Sequence, residues 1–348
     1  MIKFNIYLKI LFTLQMKNLY FLLLICLFSC SQVDRKILVN NHGRAQGSYY
    51  HIKYLSNNGL DYKSQIDSIF IEIDSSLSIY QKYSTISRLN ERHDYLTDTL
   101  FNQVFKLAKK VFIESQGRFD CSIGTIVDAW GFYNDRIDID SIIIDSIYIQ
   151  KQLSFVGFDK IKLVNDSLIM PKGMKLDFNA LAQGFTVDLI GQYLDSRGIH
   201  NYLIEVGGEL IAKGMNINNI SWRVGVEKPT NTVDVNRRYQ YILDLDDKSL
   251  ATSGNYRKFY KKNGVKYSHT INPINGFPVQ NRLLSVTVIH DQCILADAYA
   301  TAFMVMGVKE TKKFLKINSE IEAYLVYTNN QDEWVTYITP NFKNRIVN

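Results

Sequence analysis

Cysteine and proline are both scarce, 4 and 5 residues in a chain of 348. Four cysteines cannot staple a chain of this size, and none has the paired short spacing of a zinc site. Charge of one sign is not concentrated either. The 40 basic and 34 acidic side chains are scattered and leave a net charge of +6. Without a basic run to neutralise phosphates, the sequence gives no support to nucleic-acid binding. No apolar run reaches the roughly 20 residues that a helix needs to span a bilayer. No internal repeat or low-complexity linker divides residues 40–348. What remains is an ordinary globular balance, 46% hydrophobic and 21% charged, with room for one large domain or two small ones.

The longest apolar run, Leu19 to Ser29, follows Lys17. It is too short to span a membrane but suits the h-region of an export signal. It ends in Leu27-Phe28-Ser29-Cys30, which resembles a bacterial lipobox, and Met16 to Cys30 alone would make a compact lipoprotein signal. The expectation is therefore a signal over residues 1–30 with lipid on Cys30, a polar tether over 31–40, and a domain over 41–340. Of the other cysteines, Cys26 falls inside the signal, and whether Cys121 and Cys293 pair is left open.

Periodicity predicts the body. Ile66, Ile69, Phe70, Ile73 and Leu77 recur at helical spacing, as do Val104, Leu107, Ala108 and Val111. Asn165-Asp166 between two short apolar runs predicts a hairpin over 161–170. A helix is expected from Asn179 as N-cap to Gly198 as closing residue, then strands over 201–290. A helix over 294–306, a charged helical stretch over 308–317 and two strands near 322–338 complete the pattern. Helices and strands mix without a βαβ rhythm, which predicts an α+β fold rather than a doubly wound sheet.

Several segments are hard to explain as core alone, although each has a bland alternative. Gly117-Arg118-Phe119-Asp120 with Gly124 could hold backbone close to a flat ligand, or form a plain turn. Leu176 to Gly184 runs from a strand into a helix N-terminus, where free N–H groups attract phosphate. There Asp177 could meet a ligand edge or cap the turn. Gly207-Gly208-Glu209 reads as a turn or bulge. His269 stands before a rigid Pro273-to-Pro278 loop and is either a functional or a structural histidine. Asp297 and Thr301, four apart on one helix face, suit a hard cation such as Mg²⁺ or are an N-cap acid and a surface threonine.

In this order and spacing, the segments resemble the ApbE family of FAD:protein FMN transferases. The match spans about residues 43–328, touching Gly47-Ser48-Tyr49-Tyr50 near its start and including Ser87-Arg88-Leu89-Asn90, Leu176 to Asp188, His269 to Pro278 and Ala296 to Thr301. The resemblance implies a single ApbE-like, T-fold-related domain after the lipoprotein signal. It implies Mg²⁺ held by Asp297, Thr301 and the carbonyl of Ala180, with FAD as substrate. It assigns flavin-nucleotide contacts to Gln46, Tyr80, Arg118, Phe119, Asp120, Asp177, Gln183 and Ile271, and the active histidine to His269. It also implies acceptor flavoprotein subunits of membrane redox complexes, reached from an exported, lipid-anchored position on the cell envelope. Gln183 stands where many members carry lysine, Asn272 where aspartate is usual, and Cys121 where proline is common. Two other outcomes share the site: an FAD pyrophosphatase releasing FMN and AMP, and a non-catalytic flavin-binding lipoprotein.

Overall fold

Residues 36–91, 95–133, 146–228, 239–255, 259–262, 265–268 and 270–347 are described by the structure, a computed structural model. Cys30, His269 and the expected signal lie outside the described residues. The frame is one eight-stranded sheet whose order repeats the order of the chain. Its strands are β1 (Lys36–Ala45), β2 (Ser48–Asn57), β3 (Tyr202–Val206), β4 (Glu209–Lys213), β5 (Lys248–Gly254), β6 (Leu283–His290), β7 (Glu322–Thr328) and β8 (Trp334–Ile338). From β2 to β8 every neighbouring pair is antiparallel. The turn between β1 and β2 needs positive φ at two successive residues. Gln46 and Gly47 supply it, at 50° and 71°.

Among the described residues six helices fill the connection from β2 to β3: α1 (Lys63–Leu77), α2 (Thr85–Glu91), α3 (Thr99–Glu114), α4 (Gly124–Ala129), α5 (Ser146–Leu153) and α6 (Asn179–Ser196). α7 (Cys293–Ile317) joins β6 to β7, and α8 (Pro340–Asn344) follows β8. Successive strand residues point to opposite faces, and here both faces are covered. Val286, Val288, Ala323 and Leu325 join Phe101, Phe178 and Phe303 in the main core beneath the helices. Ile289, Tyr324 and Val326 meet Trp222, Leu243 and Phe342 on the other side. There a small sheet of Trp222–Glu227, Tyr239–Leu245 and Ile346–Val347 closes the core. Each fully buried aromatic contributes roughly 2–3 kcal/mol by burial. Two-sided burial is also why β6 and β7 read as near-continuous apolar runs.

The α+β expectation holds, with adjustments at the boundaries. β1 begins at Lys36, so residues 36–40 belong to a strand and not to a tether, and the compact unit runs from Ile37 past residue 340. The expected hairpin is Lys162–Val164 with Ser167–Ile169, turned by Asn165 and Asp166 at φ 47° and 58°. Phe178, not Asn179, occupies the cap position of α6, and the Asn179 N–H is taken by Asp177. The two helical stretches expected after 293 are one element broken by Gly307, whose φ of 70° and ψ of 177° no helix allows. Cys121 and Cys293 are both buried and unpaired with each other. Among the described residues no helix is long and apolar enough to cross a membrane.

Candidate active site

The segment Leu176 to Gly184 is held on both sides before it becomes a helix. The Asn90 carboxamide pairs with the backbone of Leu176, its Oδ1 accepting the N–H at 2.7 Å and its Nδ2 donating to the carbonyl at 2.8 Å. On the other side Asp177 N–H donates to the Cys121 carbonyl at 2.8 Å. This clamp fixes the Asp177 carboxylate. Its Oδ1 accepts from Asn179 N–H at 2.7 Å and its Oδ2 from the Tyr133 hydroxyl at 2.9 Å. Burial pushes the Asp177 carboxyl above its ordinary value against the pull of both donors. Burial, and then the Asp177 charge, raises the Tyr133 phenol in turn. Tyr80 stands edge-on to Tyr133 at 6.4 Å, largely exposed, with Asn179 Nδ2 at 3.4 Å from its hydroxyl.

α6 does not start cleanly. Ala180 has φ −84° and ψ 16°, outside the helical region, and the N–H that a regular helix would turn to its carbonyl goes elsewhere. Four residues on, Gly184 N–H donates to Asp297 Oδ2 on α7 at 3.4 Å. The helices touch here without clearance, since a Cβ on Gly184 would stand 2.7 Å from the Cys293 carbonyl oxygen. One turn beyond Asp297, Thr301 Oγ1 lies 3.4 Å from Ser253 Oγ at the end of β5. Asp297 is only 7% exposed. Burial, and then the nearby Glu209 carboxylate, pushes it well above the usual carboxylate range. An anion disfavoured by burial and by a second buried acid is one that a cation would relieve. The Thr301 hydroxyl one turn along α7 and the Ala180 carbonyl are hard oxygens of the kind such a cation takes. The residues present therefore fit a hard divalent ion.

Around this point the chain has built a polar rim. Gln183 packs across Gly207, where a Cβ would meet its amide at 2.4 Å, and its Nε2 reaches the Gln46 carbonyl at 3.4 Å. Gln46 Nε2 donates to Thr186 Oγ1 at 2.8 Å, while Gln46 Oε1 is buried without a hydrogen-bond partner. The double glycine is the turn expected from the sequence, at φ 70° and 115°, and it delivers Glu209 to the first position of β4.

The structure thus gathers Gln46, Asp177, Ala180, Gln183 and Asp297 around the start of α6, with Thr301 one turn along α7 from Asp297 and Tyr80 near Asp177. It does not present the three residues of the glycine-flanked loop in the same way. Phe119 is buried in the main core. Asp120 has both oxygens bonded, Oδ1 to Ser122 N and Oγ and Oδ2 to Phe158 N. Arg118 pairs with Glu310, beyond the break in α7. As arranged here Phe119 and Asp120 pack behind the Cys121 carbonyl that holds Asp177, while Arg118 is engaged by Glu310. Ile271 is buried against Ile126, Trp130 and Ile149, its backbone in register with Pro278. Sequence reasoning gave no role to Asn90, Tyr133 or Asp188. For Asp188 a signal existed, an acid between the buried Val187 and Ile190 of one helix.

Residues 46–325 match the family model described as "ApbE family". The chain belongs to the ApbE family. Among curated ApbE relatives, the FAD:protein FMN transferase of Vibrio cholerae (strain O395) is 31% identical over 329 residues, 92% of this chain and 96% of the relative. The protein of the same name from Escherichia coli (strain K12) is 28% identical over 293 residues, 82% of each. Two solved ApbE structures superpose over most of the chain. The flavin transferase ApbE from Vibrio cholerae does so with a TM-score of 0.79 at 31% identity, over 89% of this chain and 100% of that one. The Pseudomonas stutzeri flavinyl transferase ApbE, in its apo form, gives 0.78 at 28% identity, over 90% and 98%.

Proposed function

We propose that this ApbE protein transfers FMN from FAD to a threonine or serine hydroxyl of an acceptor protein, releasing AMP, with Mg²⁺ as its cation. The observation that carries this reading is the junction of α6 and α7. There Asp297, with Thr301 one turn along, meets the Gly184 N–H, in a helix start where Ala180 leaves helical torsions and which also carries Asp177 and Gln183. The names of the Vibrio cholerae and Escherichia coli relatives support the same chemistry.

Ala180, Asp297 and Thr301 would hold the ion, which supplies charge neutralisation at the pyrophosphate when bound. The chain's own residues do the rest. Asp177, fixed by Asn90 and Cys121, orients the nucleotide by accepting from its edge, and Gln183 donates to phosphate oxygens as a neutral group. The acceptor oxygen attacks the FMN-side phosphorus, the bond to the AMP oxygen breaks, and the attacking hydroxyl loses its proton. We assign that proton to His269, outside the described residues, because an imidazole takes up protons near neutral pH. Positioning and neutralisation carry most of the acceleration in such a transfer. We further propose export and lipid attachment through Cys30, with acceptors among flavin-carrying subunits of membrane redox complexes.

The test incubates the protein with FAD and a threonine-bearing acceptor domain, with and without Mg²⁺. Mass spectrometry of the acceptor should show an FMN adduct, with matching AMP, that disappears when Mg²⁺ is withheld. FMN and AMP without adduct would point to hydrolysis, and intact FAD under every condition would refute the transferase reading.

A further inference from the structure

The helix that carries Asp297 and Thr301 does not cap itself. At the cap position of α7, Gln292 makes no side-chain hydrogen bond to the helix start. The free N–H groups are taken instead by Asp188, which lies on α6 more than a hundred residues earlier in the chain. Its Oδ1 accepts from Cys293 N–H at 2.8 Å and its Oδ2 from Ile294 N–H at 2.9 Å. A carboxylate at a helix N-terminus is favoured by both the free donors and the dipole. One supplied by another helix also fixes where the two helices stand relative to each other.

Three contacts along α6 therefore set the start of α7. Gly184 abuts the Cys293 carbonyl, Gly184 N–H reaches Asp297, and Asp188 grips the first turn with both oxygens. Ala180 lies one turn before Gly184 on α6, and Asp297 lies one turn after Cys293 on α7. We infer that Asp188 is a positioning residue for the cation, setting the separation between the Ala180 carbonyl and the Asp297–Thr301 pair. This rests on the cation reading given above. A small hard ion demands near-ideal geometry at roughly 2.0–2.1 Å. A slide of a few tenths of an ångström between the helices is enough to spoil it. The steric stop at Gly184 prevents closer approach, whereas Asp188 prevents separation.

The test titrates Mn²⁺ into the FAD-loaded protein and follows the free aquo ion by electron paramagnetic resonance, so that no turnover is needed. Asp188→Ala should weaken Mn²⁺ binding by about 10-fold or more, as loss of an outer-shell support commonly does. Asp188→Asn, which keeps one accepting oxygen, should fall between it and the parent, and serves if the alanine variant does not fold. The control is Asp98→Ala, which removes an ordinary cap from α3, where Asp98 Oδ1 accepts from Phe101 N–H at 2.8 Å. It should leave Mn²⁺ affinity unchanged. Equal losses in the Asp98 and Asp188 variants would overturn the inference by reducing it to general destabilisation. So would parental affinity in both Asp188 variants while Asp297→Ala loses the ion. Parental affinity in Asp297→Ala as well would instead remove the cation reading on which the inference stands.

Discussion

Asp120 and Asp177 follow glycine-flanked or strand-end segments that look alike in sequence, and they lie close together across the Asp177 N–H to Cys121 carbonyl bond. Their surroundings differ. Asp120 is 8% exposed, and its oxygens accept three hydrogen bonds from Ser122 and Phe158, which tie one loop to the next. Asp177 is only partly buried, and its partners, Asn179 and Tyr133, stand at the rim with Tyr80. The first acid holds the scaffold together and the second is held by it. An acid beside a glycine turn thus declares its role only through what its oxygens already hold.

That contrast can be broken by experiment. Asp177→Ala should reduce FMN transfer by about 1,000-fold, near 4 kcal/mol of barrier, with less loss of stability than Asp120→Ala, because water at the rim can take up the donors of Asn179 and Tyr133. A folded variant with parental rate would end the distinction. The next effect concerns Asp188, at the far end of the same segment. Burial raises its carboxyl from 3.8 to about 6 against the pull of the Cys293 and Ile294 N–H groups. In the unfolded chain it ionises first, so its contribution to stability falls as pH rises between about 4 and 6, by about 3 kcal/mol in all. Denaturant melts across that window should show this slope, and Asp188→Asn should remove it. Asp120→Ala should do the reverse of Asp177→Ala. It leaves buried donors on Ser122 and Phe158 unmet, which costs about 2–3 kcal/mol in denaturant unfolding while the rate per folded molecule holds. Smallest is Arg118→Gln. Its pair with Glu310 is partly exposed and contributes about 0.5 kcal/mol or less. A several-fold rise in the KM for FAD in that variant would return Arg118 to the site.

Much of the fold was legible because it rests on local pattern. The apolar spacing of α1 and α3 and the Asn165-Asp166 turn each follow from neighbouring residues. So does the break at Gly307 between an apolar and a charged helical stretch. The candidate site was legible where the resemblance named residues on the α6 and α7 starts. The rest depends on contacts between residues far apart in the chain. No local signal says that Asn90 grips Leu176, that Asp188 caps a helix starting at 293, or that Glu209 stands by Asp297. The pairing of Ile346–Val347 with Tyr239–Leu245 is equally distant in sequence. The inward placement of Phe119 and Asp120 is likewise set by packing that no local signal announces.

In the eight-stranded sheet, every strand lies next to its predecessor in the chain. Such a sheet can grow at one edge as the polypeptide emerges, each arriving strand meeting a template already laid down, with the long helical insertion after β2 as its longest loop to close. α6 and its waiting carboxylate at Asp188 precede β3, so the seat for α7 exists before α7 is made. The order of synthesis therefore leaves the proposed cation ligands until late: a chain halted before residue 293 can pair its first six strands yet lacks Asp297 and Thr301 altogether. The chain becomes a catalyst only after most of it has become a fold.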